Sequence, residues 1–366
     1  MAENKKLRVA ITHGDTNGIG YELIFKTFAA PEILELCTPV IYGSAKAAAV
    51  HRKVSDMDIN LNVISSAAEA KDGRVNLLTV MDEEINVEIG RAAEDAGRAA
   101  LAAIDKAVVD YQDHLFDVLV TAPVCVESIR CAGVRFTGQP DYIAECLGEA
   151  AQAMPILVND RIRIGLTGVD TGEKSLADSM TKERLTERIA TLARSLKRDF
   201  RISNPRIAVL AFNAAPTVEE KELVKTVTEE LADSKVNAFG PYAAGSFVND
   251  NMYDHFDGVL AVNYDQMTAS GLALTADSSV EMVAGLPMVC VSTLQDASHD
   301  TAGRNMADES AFRQAVYLAV DVFRNREIYD APYENPLPKL YHEKREESEK
   351  IRFSIPKKHE KNNKEQ

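Results

Sequence analysis

The first residues able to do chemistry lie between an opening strand and the helix after it: Gly14-Asp15-Thr16-Asn17-Gly18-Ile19-Gly20. Glycines at such a turn allow tight backbone geometry and can bring amides near an anion. The spacing is not the G-x-G-x-x-G of a dinucleotide fold, so a structural turn is favoured over a phosphate cradle. Near the other end, Asp296, His299 and Asp300 form a group that could exchange protons, although such a cluster also suits the charged start of a helix. The seven histidines show no metal-ligand spacing, and no Ser-His-Asp or Cys-His nucleophile motif is present. The five cysteines (Cys37, Cys125, Cys131, Cys146, Cys290) are odd in number and form no C-x-x-C pair, which suits reduced, mostly buried thiols.

The elements that must position these residues are legible as alternating patterns. Short β-branched runs recur at LRVAIT (7–12), PVIYG (39–43), RVNLLTV (74–80), DVLVT (117–121), RIAVLAF (206–212), GVLAV (258–262) and MVCVS (288–292). Between them, apolar residues step by three and four, as in Leu101, Ile104, Val108 and Tyr111, in Leu185, Ile189, Leu192 and Leu196, and in Phe312, Val316, Ala319 and Phe323. Strands alternating with amphipathic helices predict an α/β fold with a largely parallel sheet. At 366 residues the chain exceeds one ordinary core, and two domains are expected. The first is read as 1–135 plus 295–335, the second as 136–294 and carrying the dimer interface. A charged tail over 336–366 has too few apolar residues to bury much.

Composition narrows the partners. A net charge of −15 disfavours nucleic acid and anionic membranes, which would present like charge to most of the surface. A small molecule or another protein is expected instead. The leader MAENKKLRVAIT has no apolar signal core, and no run of about 18 apolar residues occurs, so a cytoplasmic location is expected.

Four segments together resemble one family. ITHGDTNGIGYEL, VTAPV at 120–124, AGVRFTG at 132–138 and the AVNYDQ…AGLP stretch at 261–287 are similar to the 4-hydroxythreonine-4-phosphate dehydrogenases, PdxA, of vitamin B6 biosynthesis. The resemblance runs in order up to about residue 330. It implies two α/β/α domains with a cleft between them, like those of isocitrate and isopropylmalate dehydrogenases, assembled as a homodimer. It also implies NAD as oxidant and a divalent metal holding the reacting oxygens. Cofactor contacts would fall on Asn213, Asp265 and Gln266. The substrate cleft would involve His13, Asp15, Gln139, Asp141, Leu272, Glu281 and Cys290.

At the positions that carry the family's chemistry, this sequence departs from it. The three metal-binding histidines fall at Asp170, Ala215 and Tyr264. Alanine offers no donor, and a phenol must first lose a proton with a reference pKa of about 10. No metal in the family's mode is therefore expected. Gln139 stands where the family has a phosphate-side histidine and Pro140 where it has a threonine; Val126 replaces a lysine. Farther on, the substrate-binding lysine, asparagine and arginine become Leu272, Glu281 and Cys290, and H-G-T-A becomes Gln295-Asp296-Ala297-Ser298. Cations are lost and a carboxylate is gained, which should repel a phosphoester.

Three functions stay open to such a chain. One is a degenerate family member whose parent reaction is lost or replaced. Another is NAD-dependent oxidation of a related substrate. The third is a binding or regulatory protein, in a homodimer or a mixed dimer with an active relative, where a missing ligand at each shared site would inhibit.

Overall fold

The computed structural model describes residues 6–81, 85–168, 181–275 and 278–334. Asp170 and the tail over 336–366 lie outside the described residues. The strands are β1 (Leu7–Thr12), β2 (Cys37–Gly43), β3 (Leu61–Ile64), β4 (Val75–Thr79), β5 (Val118–Thr121) and β6 (Met154–Val158), then β7 (Arg163–Leu166), β8 (Arg206–Leu210), β9 (Asn237–Tyr242), β10 (Gly258–Ala261), β11 (Val280–Ala284) and β12 (Val289–Thr293). They form one twelve-stranded sheet in the order β3-β4-β2-β1-β5-β12-β11-β6-β7-β10-β8-β9. The described residues up to Asp330 make one compact unit.

The fold is α/β with a mixed sheet. Its outer blocks are parallel, as the alternation of runs and helices predicts. The centre is not: β11 runs antiparallel to both β12 and β6, and β6 antiparallel to β7. The cause is local, because β11 and β12 are joined by the short Gly285–Met288 connection and cannot be parallel without a crossover. Gly285 turns that corner with φ +83, a conformation that favours glycine.

Strands β1, β5 and β12 are adjacent and parallel, with Thr12 opposite Thr121 and Thr121 opposite Ser292. Their C-terminal loops therefore leave the sheet side by side, the place where open α/β sheets gather functional residues. The apolar stripes become buried helix faces: Leu185, Ile189, Leu192 and Leu196 on the helix Lys182–Arg198, and Phe312, Val316 and Ala319 on Ser310–Glu334. Both helices join the largest apolar cluster, which also holds Val9 and Ile11 of β1. The C-terminal helix thus shares one apolar cluster with residues from both halves of the sequence.

One buried ion pair ties those two helices. Arg326 Nε donates to Asp199 Oδ1 at 2.7 Å, and its Nη1 donates to the carbonyls of Leu286 and Pro287. Ser195 Oγ donates to the other carboxylate oxygen at 2.6 Å. Removing one partner of such a pair strands the other charge, which costs about 3–5 kcal/mol. Arg326→Ala is expected to lower the urea-unfolding free energy by about that much. Because the partners are coupled, the double variant Arg326→Ala/Asp199→Ala should lose less than the sum of the two single losses.

Candidate functional site

A cavity of about 330 Å³ opens on one face of the central strands. In the ladder Glu281 stands opposite Leu157 of β6 and Ser292 of β12. Paired residues share a face, so the Glu281 carboxyl and the Ser292 hydroxyl emerge together. The helix Gln139–Cys146 supplies Gln139 and Asp141, the helix Tyr264–Leu274 supplies Tyr264, and the loop after β12 supplies Gln295 and Asp296.

The polar lining consists largely of hydrogen-bond acceptors. Glu281, Asp141 and Asp296 are carboxylates, and none of the described lining residues is Lys, Arg or His. Gln139 uses its amide nitrogen on the Ala122 carbonyl at 3.3 Å, and Gln295 uses its own on Asp308 at 3.0 Å. That leaves both amide oxygens buried without a partner. Cations lie instead in an adjoining cavity of about 470 Å³, where Arg135, Arg184 and Arg188 contribute to the wall. The two cavities share Phe136, Thr137, Asp141, Pro155 and Leu166.

Glu281 sets the local electrostatics. Burial, reinforced by Asp141, raises its carboxyl to about 7. Burial and then Glu281 push the Tyr264 phenol and the Cys290 thiol each up to about 12. Neither will ionise readily near neutral pH.

The other expected site residues are scattered. His13 is fully buried and stacked on Tyr21 with ring centroids 5.4 Å apart, and burial together with His51 lowers it to about 4. It sits in the core and not in the cavity wall. Asp15 is also buried, in the loop after β1. Leu272 is exposed and lies outside the described lining, and Cys290 is buried on β12, two residues before Ser292. Gln266 braces the sheet, accepting from Val262 N and donating to Ala211 O at 2.8 Å. Asn213 and Asp265 are exposed beyond the ends of β8 and β10.

The glycine loop is a structural turn. Its amides are already committed: Asp15 N to Pro123 O, Asn17 N to Asp15 Oδ1, Gly18 N to Asp15 O and Ile19 N to Ala297 O. A Cβ on Gly14 would come within 2.1 Å of the Pro123 carbonyl oxygen, and one on Gly18 within 2.6 Å of that of Ala297. The glycines serve close backbone packing between loops, which leaves those amides unable to receive a phosphate.

A family model described as pyridoxal phosphate biosynthetic protein PdxA matches residues 35–319. The 4-hydroxythreonine-4-phosphate dehydrogenase of Bacteroides thetaiotaomicron is 41% identical over 357 residues, 96% of this chain and 98% of its own. The chain belongs to the PdxA family. Its relative of the same name in Prosthecochloris aestuarii is 30% identical, across 87% of this chain and 97% of its own. A solved 4-hydroxythreonine-4-phosphate dehydrogenase from Klebsiella pneumoniae matches with a TM-score of 0.73 at 22% identity, covering 88% of this chain and 99% of that one. At that identity the likeness concerns the PdxA fold.

Of the positions that the resemblance assigns to the metal, the two described ones, Ala215 and Tyr264, present no ready ligand. Ala215 is an exposed methyl, and Tyr264, 49% exposed, holds its proton up to about 12. Neither offers the neutral nitrogen that binds without deprotonation.

The raised carboxyl gives a signed pH dependence. An acid whose folded pKa lies above its unfolded value contributes stability below the unfolded value and loses it as pH rises through the folded one. For Glu281 the window runs from 4.5 to about 7. Glu281→Gln should flatten that segment of the stability–pH curve, gaining on the order of 3 kcal/mol over wild type at pH 8 relative to pH 4. Parallel unfolding curves for the two proteins across that range would remove the claim.

Proposed function

We propose that this PdxA-family chain keeps the family's frame without its parent reaction, and holds a small ligand rich in hydrogen-bond donors in the cavity around Glu281. One observation carries the reading: three carboxylates and two unpartnered amide oxygens converge there, with no cation among the described lining residues. Buried acceptors without donors cost about 1–3 kcal/mol each. An ammonium or a polyol would satisfy them. A phosphate in the same place would meet like charge in a partly desolvated setting, where two unit charges about 4 Å apart interact by about 4 kcal/mol at an effective dielectric near 20.

NAD-dependent oxidation of a related substrate is the second reading, favoured by 41% identity to a protein named as a dehydrogenase. On that reading Asn213 and Asp265, exposed beyond neighbouring parallel strands, would meet the nucleotide. Assembly as a homodimer, or as a mixed dimer with an active relative, belongs to either reading, as does residence in the cytoplasm. Among the described residues no helix is long and apolar enough to cross a membrane.

The two readings give opposite results in one pair of measurements. With 4-hydroxythreonine 4-phosphate, NAD and Zn²⁺ or Mg²⁺, the chain should form no NADH above the protein-free rate. Unphosphorylated 4-hydroxythreonine, which carries an ammonium and hydroxyls, should raise the melting temperature more than its phosphate does. Glu281→Gln should reduce that rise. Metal-dependent NADH formation from the phosphate would establish the second reading and end the first.

A further inference from the structure

Outside the Glu281 cavity, one cluster of side chains has the composition of a metal site. Asp15, Cys125 and His299 place a carboxylate oxygen, a thiol sulfur and a ring nitrogen all within 4.8 Å of one another. They come from the loops after β1, β5 and β12, the three neighbouring parallel strands whose ends lie side by side. None of the three stands at a histidine position of the PdxA metal site.

Two details point to a bound cation. Asp15 is 1% exposed, its Oδ1 accepts the Asn17 amide at 2.8 Å, and its Oδ2 is buried with no hydrogen-bond partner. His299 Nε2 lies 3.4 Å from Asp15 Oδ1, yet that nitrogen too is buried without a hydrogen bond, because the contact is not aligned for one. Asp15 Oδ2 and His299 Nε2, on side chains of the same cluster and both buried without a partner, are costly as they stand. An ion between them would satisfy both.

The loops hold this arrangement in advance. Asp15 N donates to Pro123 O at 2.9 Å, two residues before Cys125, and Ile19 N donates to Ala297 O at 3.0 Å, two residues before His299. Gly90 packs under the third ligand, since a Cβ there would lie 2.9 Å from the His299 carbonyl oxygen. The Asn17 amide on Asp15 is the kind of outer contact that orients a metal-binding carboxylate.

We propose that Asp15, Cys125 and His299 form a site for one divalent cation of the zinc class. Thiolate, imidazole and carboxylate together are a borderline-soft set that suits Zn²⁺ and disfavours Mg²⁺ and Ca²⁺, which take oxygen. In a tetrahedral zinc site with one thiolate, neighbouring ligand atoms sit about 3.3–3.5 Å apart, so these side chains must close in by up to about 1.5 Å. That is within reach of a rotation of the half-buried Cys125 side chain. Three protein ligands leave the fourth position to water. Binding requires the thiolate and so releases a proton. The proposal is independent of the reading of the Glu281 cavity, because it concerns different residues and a different ligand.

Chelator-treated full-length protein titrated with Co²⁺ tests it. We expect one ion per chain and a thiolate-to-cobalt charge-transfer band that disappears in Cys125→Ser and persists in Cys131→Ser. Zn²⁺ should raise the melting temperature of the wild type. Asp15→Asn and His299→Gln should each weaken zinc affinity on the order of 100-fold or more. Circular dichroism of metal-free Cys125→Ser keeps loss of binding separate from loss of folding, since its half-buried side chain changes by one atom. Absence of the charge-transfer band, or a band that survives in Cys125→Ser, would overturn the proposal; either result would leave Asp15 and His299 as a misaligned ion pair.

Discussion

The close approach of three loop backbones constrains most of what this protein can do. After β1 the chain runs so near the loops following β5 and β12 that Gly14 and Gly18 have no room for a side chain against the carbonyls of Pro123 and Ala297. The amides of Asp15 and Ile19 close the gap with hydrogen bonds to those same carbonyls. Fixing the loops in this way buries Asp15 and faces it toward His299. It also sets the path of the chain from Ser292 to Asp296, which walls the cavity. A glycine pattern that could have served an anion serves backbone packing instead, and functional groups are delivered by the residues between the glycines.

The cavity next to these loops is governed by a single carboxyl group. Glu281 is buried among acceptors, and holding its proton to about 7 is the least costly response to burial and to Asp141. Its field in turn helps to keep the Tyr264 phenol and the Cys290 thiol protonated. Protonated, Glu281 can donate one hydrogen bond; ionised, it accepts several, and the lining then calls for a donor-rich or cationic guest. The arginines line the adjoining cavity, which shares Asp141 with this one, and Asp141 interacts there with Arg188.

Much of this was legible in the sequence, for identifiable reasons. The seven β-branched runs correspond to β1, β2, β4, β5, β8, β10 and β12, each buried along most of its length and therefore rich in the residues that mark a strand. The runs missed were weaker. β3, LNVI, is buried at only one of its four residues, β7 reads RIGL with a charge and a glycine, and β9 reads NAFGPY, where glycine and proline signal a turn. β6 and β11, though apolar, are the antiparallel strands that a simple strand–helix alternation does not generate. At the site, Gln139, Asp141, Tyr264 and Glu281, the first three from helices and the last from β11, line one cavity. The motifs do not place His13, whose burial against Tyr21 depends on packing between helix and sheet, nor Leu272, which faces outward. The Asp15–Cys125–His299 cluster has no local spacing at all. Only the strand order β1-β5-β12 brings its three loops together, so a search along the chain for nearby ligands passes over it.

The frame can persist while the chemistry changes because the two draw on different interactions. The sheet and its helices rest on a large apolar cluster and on ties such as Arg326–Asp199, none of which touches the Glu281 cavity. Side chains lining a partly open cavity contribute little to that core, so exchanging cations for carboxamides and a carboxylate costs the fold little beyond the burial of Glu281. Even that cost falls where the group can stay protonated. A PdxA scaffold is thus under weak physical constraint at the positions that define its ligand and under strong constraint at the glycines and buried ion pair that define its shape. On the proposed reading, change at the first set with retention of the second is what this separation of energies permits.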